Sequence, residues 1–159
     1  MAGSAARGAG DSLLDLLEAR SGVVCAVGAG GKKSLLRCLA SAHPGRVAIT
    51  STVFITHIPD DAGFAIAVAQ DADLPGAVAR LGAAPRVAYA CPSEKPDRWG
   101  GASPATIERI HAEGGFATTF VKADGARMRW VKAPADDEPA LPECCTTVLP
   151  VVSALAIGE

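Results

Sequence analysis

The chain has 159 residues, 49% of them hydrophobic, 20% charged and only 4% aromatic, which is the size and composition of one globular domain with its own core. A formal net charge of −2 excludes a broad basic face, so nucleic acid and anionic membrane surfaces are not expected partners, and no run of about 18 apolar residues is available to cross a bilayer. The five cysteines (Cys25, Cys38, Cys91, Cys144 and Cys145) are odd in number and irregularly spaced, a usage that reads as reduced thiols in a cytoplasmic protein rather than as a disulfide framework or a zinc motif.

Residues 1–10, MAGSAARGAG, are small and are followed by no apolar run; they are expected to form a disordered tail ahead of a single domain over 11–159. Leucines at 13, 14, 16 and 17 behind Asp11 and Ser12 predict a short amphipathic helix reaching Arg20. The continuous apolar run VVCAVGA at 23–29 suits a strand buried on both faces of a parallel sheet. Gly28, Gly30 and Gly31 end that strand. Leu35, Leu36 and Leu39 then set a helical spacing over 32–42, which Pro44 and Gly45 stop.

RVAITST at 46–52 predicts a second strand, followed by an irregular segment through Thr56, His57, Ile58 and Pro59. GFAIAVA predicts a third strand ending at Gln70, residues 74–81 a short helix, and residues 86–91 a further strand. SEKPDRWGGAS, which contains Trp99, reads as a loop, and Ser103 caps a helix over 104–113. FATTFVKA at 116–123 predicts a strand that runs into Asp124 and Gly125. The proline-rich, acidic stretch 132–142 reads as a loop, and residues 146–152 as a last strand. Strands alternating with helices predict an α/β fold, P-loop NTPase-like, with a mainly parallel sheet covered by helices on both faces.

The glycine turn carries the chemistry. A loop that wraps phosphates needs backbone N–H groups that converge on the anion, which glycines permit, and the helix behind it adds its own N–H groups and the positive end of its dipole. Gly28, Ala29, Gly30, Gly31, Lys32, Lys33 and Ser34 offer this arrangement, with Lys32 placed to reach the β and γ phosphates of ATP or GTP. Two solvated lysines at a helix N-terminus oppose the dipole unless an anion is bound, so a plain turn accounts for them poorly. The match to GxxxxGK[ST] is imperfect: its first glycine falls on Ala26, and Lys33 stands where a magnesium-binding hydroxyl belongs. Ser34 and Asp124, at the carboxyl end of a predicted strand, are the candidate Mg2+ ligands, and Lys32 and Asp124 the candidate catalytic pair. Thr50, Ser51 and Thr52 end the second strand on the same edge, Thr52 being the candidate to sense the γ-phosphate. His43, His57 and His111 occur singly, without ligand spacing, and are expected at the surface or in supporting positions.

In combination, VGAGGK at 27–32, the Thr/Ser-rich stretch with THIP at 56–59, KADGAR at 122–127, and KAP with a following EP at 132–139 resemble the YqeC-type selenium-dependent hydroxylase accessory family, from about Gly22 to the end of the chain. The resemblance implies a nucleotide-handling role in maturation of selenium-dependent molybdenum hydroxylases, with a molybdenum hydroxylase or its cofactor-maturation proteins as partners. It places Lys32 at the phosphate lysine, Asp124 at the strand-end acid, and Lys132 and Glu138 in the loop that follows. Two residues depart from the family pattern: Lys33 replaces a hydroxyl and Lys122 a glutamate, which puts magnesium in doubt. The family pattern also implies that more chain follows Glu159. Two functions stand side by side: a P-loop nucleoside triphosphatase, and a non-catalytic nucleotide- or cofactor-binding module with a degenerate magnesium site. A nucleotidyltransferase rests on family context alone.

Overall fold

In the computed structural model, residues 9–59, 62–125, 129–133, 136 and 138–158 are described. The expected tail therefore lies largely outside them, as do Ala126, Arg127 and Met128 of the KADGAR motif. The first helix, α1 (Ala9–Leu16), begins three residues before Ser12 and stops short of the expected Arg20, where Glu18 turns the chain at φ 50°. The apolar run behind it has no polar side to turn to water and forms β1 (Gly22–Gly28), whose centre, Val23 to Ala26, is buried. Helix α2 (Lys32–Ala42) follows the glycine turn; its N-cap is Gly31 at φ 68°, and no side chain caps it.

Except for two short strands, which the sequence presents as an irregular segment and a loop, the remaining elements follow the sequence reading closely. They are β2 (Val47–Ser51), β3 (Ile55–Thr56), β4 (Ala65–Val68), α3 (Leu74–Ala79), β5 (Arg86–Ala90), β6 (Arg98–Trp99), α4 (Pro104–Glu113), β7 (Thr118–Lys122) and β8 (Cys145–Val151). Ser103 accepts the Thr106 N–H at 3.2 Å with Pro104 at the first turn, so α4 starts where its cap dictates. Trp99 does not lie in a loop: it is in β6, which pairs antiparallel with β3 through Ile55↔Trp99 and Thr56↔Arg98. Strands of two residues are too short to show an alternation, which is why the pattern did not reveal them.

β4, β5, β2, β7, β1 and β8, in that order, form a six-stranded sheet in which every pairing is parallel. On one face α1 and α2 lay Leu14, Leu36 and Leu39 over Val24, Ala26, Ile49 and Phe120. On the other, α3 and α4 lay Leu74, Val78, Ile107 and Ile110 over Val23, Cys25, Val87 and Val121. The chain leaves β1 through α2 on the first face and travels past β7 to β2; it leaves β7 through a segment that sets Leu141 against the second face and travels past β1 to β8. The two adjacent strands therefore send their connections in opposite directions, which opens a crevice at their carboxyl ends. No helix among the described residues is long and apolar enough to cross a membrane.

Candidate functional site

The glycine turn hangs from the end of β1 and Asp124 from the end of β7, so the register that pairs Ala26 with Lys122 brings them together at the crevice. One Asp124 carboxylate oxygen, Oδ2, accepts the Gly28 N–H at 2.7 Å. The other, Oδ1, lies 2.7 Å from Lys32 Nζ, with the two side chains only 4% and 3% exposed. Lys32 also donates to the Gly28 carbonyl. The lysine expected to reach phosphates is thus folded back onto the sheet. Gly30, at φ 73°, sits against β8's continuation: a Cβ there would lie 2.7 Å from Ser153 Cβ, whereas one at Gly31 would meet nothing within 4 Å. All three glycines of the turn have positive φ; Gly28 is in addition crowded by the Val151 carbonyl and Gly30 by Ser153, and Gly31 alone faces open space. Ser34 is exposed on the first turn of α2.

A second cation stands behind Asp124. Lys132 pairs with Glu138 and places Nζ 3.9 Å from Asp124 Oδ2, with its side chain 7% exposed. The hydrogen bond from Lys132, opposed by burial and helped by a Gly125 N–H, holds the Glu138 carboxyl below its ordinary pKa. Lys32, Asp124, Lys132 and Glu138 form an alternating group whose formal charges cancel.

Beside this neutral group opens a cavity of about 940 Å³, lined by the 52–56 loop, the 91–101 segment, Gly125 and Glu138, with Lys33, Lys95, Arg98 and Lys122 contributing charge. Lys33 donates to Thr56, and Lys122 donates to the Phe54 carbonyl at 2.8 Å. Lys95 sits 3.7 Å over the Phe54 ring. None of the four has a carboxylate within ion-pair distance among the described residues. Burial lowers the Lys122 pKa to about 8, with Lys32 and Arg98 pushing the same way against Asp124 and Glu138; burial and Arg37 also lower that of Lys33. Thr52 lines the same cavity, its hydroxyl buried without a hydrogen-bond partner among the described residues. Ser51 and Thr52 are tied to the end of β7: the Ser51 hydroxyl and the Thr52 N–H both donate to the Lys122 carbonyl, at 2.8 and 3.1 Å.

The sequence reading brought Gly28 to Ser34, Thr52 and Asp124 to one edge of the sheet, and the fold places them there. It passed over Lys95 and Arg98, which sit in the segment after β5. Their signal was positional: loops leaving the carboxyl ends of parallel strands gather ligand-facing residues. Of the two places expected for the single histidines, His43 takes the supporting one and is buried. It accepts the Gly45 N–H on Nδ1 at 3.0 Å, which leaves Nε2 to donate to the Arg20 carbonyl at 2.9 Å, and so it braces the two chain segments flanking the start of β1 and β2.

Comparison with curated proteins gives no match, and comparison with solved structures gives none. A protein-family model described as "YqeC protein" matches residues 24–159, a span that takes in the glycine turn, Asp124, Lys132, Glu138 and, but for the first two residues of β1, every strand of the six-stranded sheet. The chain belongs to the YqeC protein family.

Proposed function

We propose that this protein binds the phosphates of a nucleoside triphosphate, ATP or GTP, in the cavity beside the glycine turn, as a cytoplasmic accessory factor in maturation of selenium-dependent molybdenum hydroxylases. The client is suggested by the family. The phosphate reading rests on one observation: Lys33, Lys95, Arg98 and Lys122 converge on a single cavity without carboxylate partners among the described residues, while the nearby acids are already neutralised. Four such cations repel one another, and an anion with several charges relieves them. The cavity is of ordinary ligand size, and Thr52 brings an unused hydroxyl to its wall.

Binding without turnover is the version favoured by the lysines. Lys33 and Lys122 bring ammonium groups where the P-loop pattern and the family pattern have oxygens, and Asp124 has Oδ2 taken by the Gly28 N–H and Oδ1 in an ion pair with Lys32, though without a hydrogen bond among the described residues. Calorimetric titration with ATP and GTP, with and without magnesium, tests the proposal. Lys33→Ala and Lys122→Ala are each expected to weaken binding by about tenfold, the loss of one charge-assisted contact. Binding should weaken from pH 7 to pH 9 as Lys122, with a pKa of about 8, loses its proton, and Lys122→Ala should flatten that dependence. Failure of ATP, GTP and tripolyphosphate to bind at millimolar concentration removes the proposal.

A further inference from the structure

We infer that Lys132 is a built-in cation: its ammonium occupies the place between Asp124 and Glu138 that a divalent metal would take, and anions bind at this site without such a metal. The second half rests on the phosphate reading above; the first half does not.

Two carboxylates converge on Lys132 Nζ, Glu138 in a direct ion pair and Asp124 with Oδ2 at 3.9 Å. Carboxylates converging on one point from a strand end and a following loop are the usual donors for a hard divalent cation. Here the point is filled by an ammonium that is 7% exposed. The other oxygen expected for magnesium, that of Ser34, is exposed on α2, while Asp124 Oδ2 accepts the Gly28 N–H and faces Lys132, and Oδ1, which accepts no hydrogen bond among the described residues, lies against the Lys32 ammonium. The donor set does not fit magnesium. No group of three or more His, Cys, Asp or Glu side chains among the described residues is arranged to hold a metal.

Electrostatics make the exclusion strong. A divalent ion entering beside Asp124 would face the ammoniums of both Lys32 and Lys132, each less than a tenth exposed. It would have to drive at least one of them from its carboxylate, leaving a buried cation unpaired next to a doubly charged ion. A tethered ammonium, by contrast, is held at its site by the fold. The same arrangement explains why the acids of the crevice do not repel a phosphate: their charge is cancelled from within, and the cavity is left to Lys33, Lys95, Arg98 and Lys122.

Removing the ammonium should uncover the metal site. Mn2+ is the probe, its free aqua-ion signal followed by electron paramagnetic resonance in the wild type, Lys132→Met, Lys132→Arg and the double variant Lys132→Met with Asp124→Asn. The wild type and Lys132→Arg are expected to leave Mn2+ free up to about 1 mM, and Lys132→Met to bind one equivalent at least about tenfold more tightly, a gain the double variant loses. Two results overturn the inference: Mn2+ held by the wild type and released by Asp124→Asn, or a Lys132→Met protein with a native circular dichroism spectrum that binds none. Lys132→Ala stands in if the methionine variant does not fold. If neither folds, the wild-type titration decides, retention of Mn2+ at Asp124 overturning the inference and its absence supporting it. A parallel titration with tripolyphosphate in EDTA should give wild-type affinity within about threefold of that in magnesium; a strict magnesium requirement overturns the metal-free half. Tripolyphosphate that binds under neither condition sinks the phosphate reading and leaves the Mn2+ result standing.

Discussion

Replacing Asp124 with asparagine tests the centre of the site through stability alone. At 2.7 Å from Lys32 Nζ, the attraction at an effective dielectric of about 20 is roughly 6 kcal/mol. Taking both ions out of water costs several kcal/mol each, so the intact pair contributes little net. Breaking it is another matter. Asparagine keeps an oxygen to accept the Gly28 N–H and removes only the charge, which leaves Lys32 at 3% and Lys132 at 7% exposure with Glu138 as the one remaining acid of the group. The expected loss is about 3–5 kcal/mol. With a urea dependence of about 2 kcal/mol per molar, the unfolding midpoint should fall by about 2 M. Adding Lys32→Met removes the stranded ammonium, so the double variant should recover about 1–3 kcal/mol relative to additivity. A loss below about 1 kcal/mol for Asp124→Asn, or strict additivity with Lys32→Met, would refute the view that a buried, mutually dependent pair holds the glycine turn.

Two further predictions concern the turn and the start of α4. Gly30→Ala should destabilise by more than Gly31→Ala: both put alanine at positive φ, a penalty of about 1–2 kcal/mol, but only at residue 30 does the added carbon meet Ser153 at 2.7 Å. Equal urea midpoints for the two variants would mean that the turn does not pack against the end of β8. Asp71 accepts hydrogen bonds from the Ser103 N–H at 2.8 Å and from the Ser103 and Thr106 hydroxyls at 2.7 Å each, so Asp71→Ala should cost about 2 kcal/mol at pH 7. Burial raises the Asp71 pKa, but these bonds and a weak one from Cys91 outweigh it and lower the pKa overall. A folded pKa below the unfolded value of about 4 means the stabilisation is full above that value and lost as pH falls through the folded one. The gap between wild type and variant in thermal melts should therefore be constant from pH 7 to pH 5 and narrow below about pH 4; a gap that widens with acid would contradict the assignment.

The parts of this molecule legible in the sequence are those in which one local rule acts alone. The bounds of α2 and α4 follow from glycine and proline punctuation and, for α4, from the Ser103 cap. The parallel sheet follows from strands alternating with helices and from an apolar run too uniform to face water on either side, as in β1. What stayed hidden depends on residues far apart in the chain. β3 and β6 are two residues each, and only their mutual pairing makes them strands. Lys95 and Arg98 look like any solvated loop charges until the strand order brings their segment to the cavity that Lys33 and Lys122 line. His43 carries no mark of burial in its neighbours Ala42 and Pro44; the carbonyl of Arg20 and the N–H of Gly45, which satisfy its ring, make burial affordable.

The imperfections of the glycine motif follow from the same charge arrangement. A standard phosphate loop sets its lysine free for the nucleotide and assigns oxygens to a metal. In this chain Lys32 is held by Asp124, so the side chain that reaches the cavity from the helix start is the next one, Lys33, at the position where a hydroxyl would serve magnesium. Lys132 fills the gap between Asp124 and Glu138 where the magnesium itself would sit. Lys122 adds its charge to the cavity wall. Any one of these lysines alone would be a defect in a metal-dependent site; together they are mutually consistent, because each cation that takes the place of a metal ligand leaves less for a metal to do. Reverting Lys33 alone should therefore gain little: with Lys132 in place, Lys33→Thr is expected to leave Mn2+ unbound in the same paramagnetic resonance titration, and binding by that variant would show that Lys132 does not govern the metal site.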